Sequence, residues 1–530
     1  MKSMASVLTI IALAFGLAGC PSSGGSGGVG NASAFAVSTT AADFGVVGNA
    51  YTSTIETTGG TAPFTWTLFG GVLPTGLSLN GGTGVVTGIP TAVETPTAVV
   101  TVTDSTGKTA IGSVLFAVHP RTDRASVTGS GTAGSGASST PSMNNDGSLV
   151  AFVSQSTNLV AGVSGSQIYA HNRQTNQIEV VSRDSDSSVI NEGGGASGDP
   201  SMSSDGRLVA FVSLSSNLVT SVSGQQIYVR DRETGQTTVI SKSSAGIIGD
   251  GTSSAPAISA DGRYVAFASA STNLVASISG TQIYVHDRQT DQTTLMSKDN
   301  NVTPVPGNGV SATPAISANG QFVAFASSST NLGAAGGNQQ IYVHDRLTGA
   351  NGTTSLVSKD SAATAGNGNS STPSISGAGR FVAFMSLASN LVASVSGQQI
   401  YLHDRNTGVT GTNSLVSHDK SGSPVQGNGA SSVPSISSDG QVITFASLAT
   451  NLLNPAPAVT GQQVYSHDRS VGVTGATSLV SKDNGVTPVE GNSASDQPST
   501  SSDGGFVAFS SQATNFIGGS GSHIYVRAMP

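Results

Sequence analysis

The stretch Ala255–Ser297, APAISADGRYVAFASASTNLVASISGTQIYVHDRQTDQTTLMS, recurs with small edits from about residue 140 to the last residues of the chain. Each copy opens on a proline: Pro141, Pro200, Pro256, Pro314, Pro373, Pro434 and Pro498. Their spacings of 56 to 64 residues are a period that belongs to solenoids, propellers or arrays. Within the quoted copy the pattern predicts four short strands, Pro256–Ser259, Tyr264–Ser269, Gln282–His286 and Thr293–Ser297. Asp261-Gly262 between the first two is a tight hairpin signal, because these residues tolerate positive φ. The second strand reads VAF in almost every copy rather than alternating apolar with polar, which predicts a strand buried on both faces. Neighbouring sheets stacked face to face would do that, with the small Ala266 permitting close approach.

Four-stranded sheets set around an axis make a β-propeller, and seven openings predict seven blades. The last copy has only three strands before the sequence stops, whereas Arg124–Thr128 ahead of the first copy reads like a fourth strand. The N-terminal strand is therefore expected to complete the last blade and remove an unpaired sheet edge. The pattern PSISxDGxxVAFxSxxxNLV…IYVxDRxTG, over residues 124–527, resembles the TolB-like (WD-repeat-like) propeller repeats of bacterial envelope proteins. That resemblance implies fold and says little of activity. TolB itself has six blades and a different N-terminal domain, so its partners do not transfer.

The expected fold class is all-β: a seven-bladed propeller (119–530) closed by an N-terminal strand and preceded by a small sandwich (34–118). Alternating runs at Tyr51–Thr57, Phe64–Leu68, Ala98–Val102 and Ser113–Val118, parted by Gly, Pro and Asp turns, predict that sandwich. Gly59–Trp66, Leu73–Leu79, Thr83-Gly84 with Gly88-Ile89-Pro90, and Val102–Gly107 resemble the immunoglobulin-like (cadherin-like) domains of bacterial surface proteins. Trp66, the single tryptophan, reads most simply as core, with sugar stacking as the alternative. His119–Asp123 reads as a short linker.

Ahead of the sandwich, Lys2 and the apolar run Val7–Leu17 make a signal peptide over 1–19, too short to be a spanning helix. Leu17-Ala18-Gly19-Cys20 looks like a bacterial lipobox, which makes Cys20, the single cysteine of the sequence, the expected lipidation site. Acyl groups there would anchor the protein to a bilayer, and the Gly/Ser-rich segment 20–33 would act as a flexible tether. The localisation implied is the bacterial cell envelope, with the outer membrane favoured.

Charged residues are only 9% of the 530, and the net charge of −8 is spread without a basic stripe. An ordinary globular protein carries roughly a quarter charged residues. Nothing here supports nucleic-acid binding, and no cofactor is implied. Calcium is the one ion worth weighing, because cadherin-like modules bind it; it needs six to eight converging oxygens, and Asp104 alone reads as a turn residue.

The innermost strands read PSMN, PSMS, PAIS, PAIS, PSIS, PSIS and PSTS, small and neutral. Asp199 and Asp496 interrupt that pattern and are candidates for channel-mouth acids, a pair that could in principle act on a glycan. The four glutamates of the region, Glu179, Glu192, Glu233 and Glu490, have no recognisable catalytic setting. His171, His286, His344, His403 and His467 recur in the third strand, one per blade, and are expected to stand apart as structural residues rather than form a metal cluster. The repeated Asp287-Arg288 reads as a capped turn or local ion pair.

The loops from strand two to three, and from strand four to the next blade, are long and irregular, and topology places both at one face. Variable loops on a rigid face are where binding normally resides. The longest, with Leu452, Asn454, Pro455 and Pro457, is the candidate binding-face loop. These readings converge on a non-enzymatic envelope lipoprotein whose propeller binds an envelope protein or polysaccharide. Two alternatives stand beside it: an adhesion or matrix protein using the immunoglobulin-like domain, and a surface enzyme acting on glycans or peptides.

Overall fold

The computed structural model describes residues 34–185, 193–276, 278–334, 337–408, 411–419, 425–453, 461–472, 474–485, 488–518 and 520–529. Cys20 and the segments 1–19 and 20–33 lie outside these. Among the described residues, the region that follows the sandwich forms seven four-stranded antiparallel sheets. In the third, the strands are Ser253–Ile258, Tyr264–Ser269, Gln282–Asp287 and Gln292–Leu295, paired in sequence order. The first strand begins before its proline, earlier than the sequence pattern predicts. Pro256 has no N–H to give the ladder, and the strand accommodates it in a bulge between Ser254 and Ala257. The residue before the proline takes up the extra length at positive φ in every sheet, Thr140, Asp199, Ala255, Thr313, Thr372, Val433 and Gln497 at 44° to 54°.

Strand two is buried on both faces as its composition requires, with Val265, Ala266 and Phe267 fully inaccessible. Phe267 lies directly opposite Tyr284 on strand three, ring centroids 5.8 Å apart. The same stacked pair recurs in all seven sheets; each contributes roughly 0.5–1.5 kcal/mol beyond its buried area.

Sheets are fastened to one another by polar contacts as well. At the Asp-Gly turns a backbone hydrogen bond passes from each sheet to the next. Asn145 N–H donates to Ser204 O (2.8 Å), Ser204 to Ala260 (2.9 Å), Ala260 to Ala318 (3.0 Å), Ala318 to Gly377 (3.0 Å), Gly377 to Ser438 and Ser438 to Ser502 (2.8 Å each). Asp503 N–H then donates back to Asn145 O (3.3 Å). The last sheet is completed from the other end of the polypeptide: Thr122–Arg124 pairs antiparallel with His523–Ala528, Thr122 opposite Arg527. Thr122 and Asp123 are thus strand, and the expected linker shrinks to Pro120 and Arg121.

The N-terminal domain has two three-stranded sheets. One is Tyr51–Thr54, Val85–Gly88 and Leu77–Leu79; the other is Thr65–Gly71, Thr97–Thr103 and Thr109–Leu115. Trp66 is 5% exposed in their shared core with Val86, Val100 and Val114, which leaves no face for a sugar. This domain rests on the short-turn ends of the first and last sheets. Phe44 packs on Phe506 (5.0 Å), and the buried Arg173 guanidinium lies over both rings at 4.9 and 5.1 Å. Arg173 also donates to Gly147 O (2.8 Å) and pairs with Asp123 (3.4 Å).

Gly352 and Gly349 both sit at positive φ, +76° and +68°, but a Cβ at Gly352 would overlap the His344 imidazole whereas one at Gly349 meets open space. Gly349→Ala is expected to lose about 1 kcal/mol, the left-handed backbone cost. Gly352→Ala is expected to lose about 1–3 kcal/mol more, from overpacking. Equal shifts in urea midpoint for the two variants would contradict this account.

Candidate functional site

The long-loop end of the sheets is assembled by one repeated side chain. In the loop after strand two, Asn273 Nδ2 donates to Ile248 O (2.8 Å) and its Oδ1 accepts the Asp250 N–H (3.1 Å), so the two long loops of a sheet are stapled together. Asn331 does the same with Pro306 O and Asn308 N–H, both 2.9 Å, and Asn451 with Gln426 O (2.9 Å) and Asn428 N–H (2.8 Å). The next residue turns inward: Leu274 and Leu332 are buried, and so is Leu452, at 0% exposure. Leu452 is therefore a core anchor and not part of a binding surface, a correction the repeat itself could have supplied, since it occupies the leucine of the NL motif. Asn454, Pro455 and Pro457 lie outside the described residues.

The exposed large apolar side chains of the propeller gather in the long loops. Of twelve large hydrophobic residues exposed among the described residues of the propeller, ten lie in the long loops. Leu214, Leu387 and Leu448 follow strand two directly; Ile247, Val425 and Val489 sit in the loops after strand four. Sequence reading missed them, although three leucines at a position that elsewhere holds Gln, Ala or Ser were a visible signal. The immunoglobulin-like domain rests at the short-turn end, away from Leu214, Leu387 and Leu448, whereas the loop that carries Val489 runs down the outer edge to meet it at Asp483–Gly485 and Pro488.

Around the axis the two ends differ. At the short-turn end a cavity of about 130 Å³ is walled by one side chain from each sheet: Met143, Met202, Ile258, Ile316, Ile375, Ile436 and Thr500. Six large apolar groups and Thr500 stand there beside the small neutral residues expected, Ser204, Ala260, Ala318, Gly377, Ser438 and Ser502. The candidate acids lie on the second and last sheets, with the first sheet between them. Asp199 is the bulge residue of its strand and exposed, yet the surrounding wall desolvates its carboxyl and pushes it above the usual range. Asp496 stands one position earlier in its own strand, partly buried, with Oδ1 accepting the Gln497 N–H at 2.7 Å. The two are at non-equivalent positions, and no contact joins them. Glu179 and Glu233 are taken up in ion pairs with Arg232 (2.6 Å) and Arg207 (3.1 Å), and Glu192 lies outside the described residues.

The five histidines stand on five different sheets, each buried. His344 Nδ1 meets Thr354 Oγ1 at 2.9 Å, and that hydroxyl donates to Lys298 O of the preceding sheet at 2.6 Å. His467 does likewise through Thr477 (3.1 Å) to His418 O (3.0 Å). The threonine proton is committed to the carbonyl, so the imidazole is the donor and Nδ1 carries its hydrogen. In the second sheet Arg230 takes this role, on Thr237 at 3.0 Å. Asp287 and Arg288 do not pair with each other: Asp287 holds Arg263 (2.7 Å) and accepts the Gln289 N–H (3.0 Å), while Arg288 donates to Gly262 O (2.8 Å).

Calcium finds no ligand set at Asp104. Its Oδ1 accepts from Thr106 Oγ1 (2.7 Å), Thr106 N–H (2.9 Å) and Lys108 N–H (3.0 Å), and Oδ2 from Thr61 N–H (3.1 Å). Among the described residues no three His, Cys, Asp or Glu side chains gather as a metal ion would require. A groove of about 630 Å³ lies at the outer edge between the fifth and sixth sheets. It borders Val395, His418, His467 and Arg469.

The family model described as "Putative Ig domain" matches residues 29–119, which identifies the N-terminal region as immunoglobulin-like. No curated protein matches the sequence. Among solved structures the protein is similar to the β-propeller domain of the Trilobed protease from Pyrococcus furiosus, at 13% identity over 75% of this chain and 94% of that one, TM-score 0.45. It is also similar to a protein described as putative TolB from Agrobacterium tumefaciens, at 16% identity over 67% and 94%, TM-score 0.35. A third match is to the RRP9 WD40 repeats, at 10% identity over 75% and 95%, TM-score 0.39. The propeller architecture stands on the strand pairing described above.

Burial pushes the folded His344, His403 and His467 imidazoles down to about 4, whereas an unfolded histidine protonates near about 6.5. Between those values the unfolded state binds more protons, so stability is expected to fall as pH drops from about 6.5 to 4, by up to about 3 kcal/mol per histidine. Denaturation at several pH values checks this. His344→Gln, neutral throughout, should flatten the slope; an unchanged slope would mean that this histidine charges in the folded state.

Proposed function

We propose that this protein is a non-enzymatic lipoprotein of the bacterial cell envelope, in which a closed seven-bladed propeller binds an envelope protein or polysaccharide through its long-loop face. In this reading residues 1–19 are the signal peptide, Cys20 carries the lipid and 20–33 form the tether. The immunoglobulin-like domain (34–118) is a spacer beneath the propeller (119–530). The lipobox pattern carries the localisation, with the outer membrane favoured. Among the described residues no helix is long and apolar enough to cross a membrane.

One observation carries the binding assignment: exposed leucines at the same place on neighbouring sheets, Leu387 and Leu448, on loops held by the asparagine staples. Contiguous apolar surface of this kind marks interaction sites. Seven sheets linked sheet to sheet by hydrogen bonds, with the closing strand in the last, support one closed ring. That ring supplies the rigid base on which binding loops work.

Crosslinking pulldown from intact cells is the test. Leu387→Ser/Val425→Ser/Leu448→Ser removes exposed side chains only and should leave the fold intact. It is expected to cut recovery of the principal partner at least about tenfold, the effect of losing about 1.4 kcal/mol. Equal recovery would move the function away from this face. Cys20→Ser is expected to shift the protein out of the membrane fraction, and retention there would refute the anchor.

A further inference from the structure

Between the immunoglobulin-like domain and the closing sheet lies a cleft of about 480 Å³ bounded by Val47, Val93, Pro120, Arg121, Pro488 and Arg527, together with the Asp483–Gly485 loop. A second cavity of about 70 Å³ adjoins it, sharing Arg121 and Arg527 and adding Lys482. Three cations thus converge in a protein that has only 21 lysines and arginines.

Arg527 is 5% exposed, and its guanidinium donates to Thr122 Oγ1, Lys482 O (3.0 Å) and Asp483 O (3.2 Å), all neutral acceptors. The Arg121 and Lys482 side chains have no hydrogen-bond or ion-pair partner among the described residues. The Asp483 carboxylate lies close enough to favour the Arg527 charge but makes no ion pair with it, its Oδ1 accepting the Gly485 (3.1 Å) and Val489 (2.9 Å) N–H groups; one carboxylate faces three cations. Buried charges are ordinarily paired, because leaving one unpaired in a medium of low polarity is costly. Burial and the neighbouring Arg121 outweigh Asp483 and pull the Arg527 guanidinium down to about 10, and burial with the two arginines lowers Lys482.

We propose that this cleft binds an oxyanion, as a phosphate or sulfate ester, on Arg121, Arg527 and Lys482. Guanidinium groups match such oxygens in bidentate fashion, and the apolar walls from Val47, Val93, Pro120 and Pro488 accommodate the carbon skeleton of an ester. The volume is that of a small-ligand site. The walls come from both domains, and Asn484 clamps the loop to the closing strand through Thr122 N–H (2.6 Å) and Thr122 O (2.7 Å). The site therefore forms only when the ring is closed and the two domains are docked, and its occupation stabilises both.

Calorimetric titration and thermal melting of the full-length protein with inorganic phosphate, inorganic sulfate, glucose 6-phosphate and glycerol 3-phosphate test the proposal. Saturable binding is expected with a rise in Tm. Preference for the sugar ester points to a glycan source, preference for the glycerol ester to a lipid headgroup, and equal affinity to the free ion; each supports the site. Arg121→Gln and Lys482→Gln, both at accessible positions that should fold normally, are each expected to weaken binding about tenfold, with Arg121→Lys restoring part of it. Absence of heat and of any Tm shift would overturn the proposal, as would binding that neither substitution weakens.

Discussion

The structure depends on one constraint: strand two of the four-stranded sheets is apolar on both faces, save for Thr444 in the sixth, and a sheet covers neither of its own faces. Val265, Ala266 and Phe267 lose contact with water only because a neighbouring sheet lies on each side. The core is consequently divided among the junctions between sheets. One such junction groups Phe267 and Tyr284 with Ala210 and Val229 of the sheet before. An open row of sheets would leave two such faces wet, at roughly 25 cal/mol per Å² of apolar surface. That cost favours closure, and it explains why the last sheet takes its fourth strand from Thr122–Arg124 rather than ending short.

Closure by burial alone is non-directional, and the polar residues of the repeat supply direction. Gln282 Oε1 accepts from Ser297 of its own sheet (2.6 Å) and Nε2 donates to Gly307 O, on the way into the next (2.8 Å). The histidine–threonine–carbonyl relay runs the other way, to the sheet before. A buried imidazole or amide left unpaired would cost about 1–3 kcal/mol, so these contacts fix the register in which sheets can pack. Side chains that look like chemistry in a list of residue types are here fasteners. The arginine after each third strand belongs with them: Arg346 lies 4.2 Å from the Tyr264 ring of the preceding sheet, and Arg405 4.3 Å from Phe322.

The repeat period, the hairpin glycines and the doubly apolar strand two made the sheets legible in the sequence, because each of these is a local signal. The immunoglobulin-like domain was legible through its turn residues in the same way. The first strand's start was not. A proline marks where the ladder lacks a donor, and only the paired strand reveals that the backbone bridges the gap with a bulge. Leu452 was misread for a related reason: proximity to a variable loop says nothing of side-chain direction, whereas its place in the NL motif does. Arg121, Lys482 and Arg527 are 45 to 406 residues apart in sequence, and no local pattern could bring them together.

The two ends of the propeller have different physical tasks. At the short-turn end the backbone bonds between sheets and the apolar plug of Met143 and its counterparts leave little freedom, and the immunoglobulin-like domain is fixed there by Phe44 and Arg173. Burying Arg173 between two rings and against Asp123 is costly to reverse, since either domain leaving would expose aromatic surface and strip a buried guanidinium of its contacts. At the loop end the asparagine staple needs only one residue per sheet, and the rest of each loop varies in length and composition. Rigidity is thus concentrated where the propeller is held, and chemical variety where it faces outward. A domain docked at the loop end would have hidden Leu214, Leu387 and Leu448; docked at the turn end, it leaves them exposed.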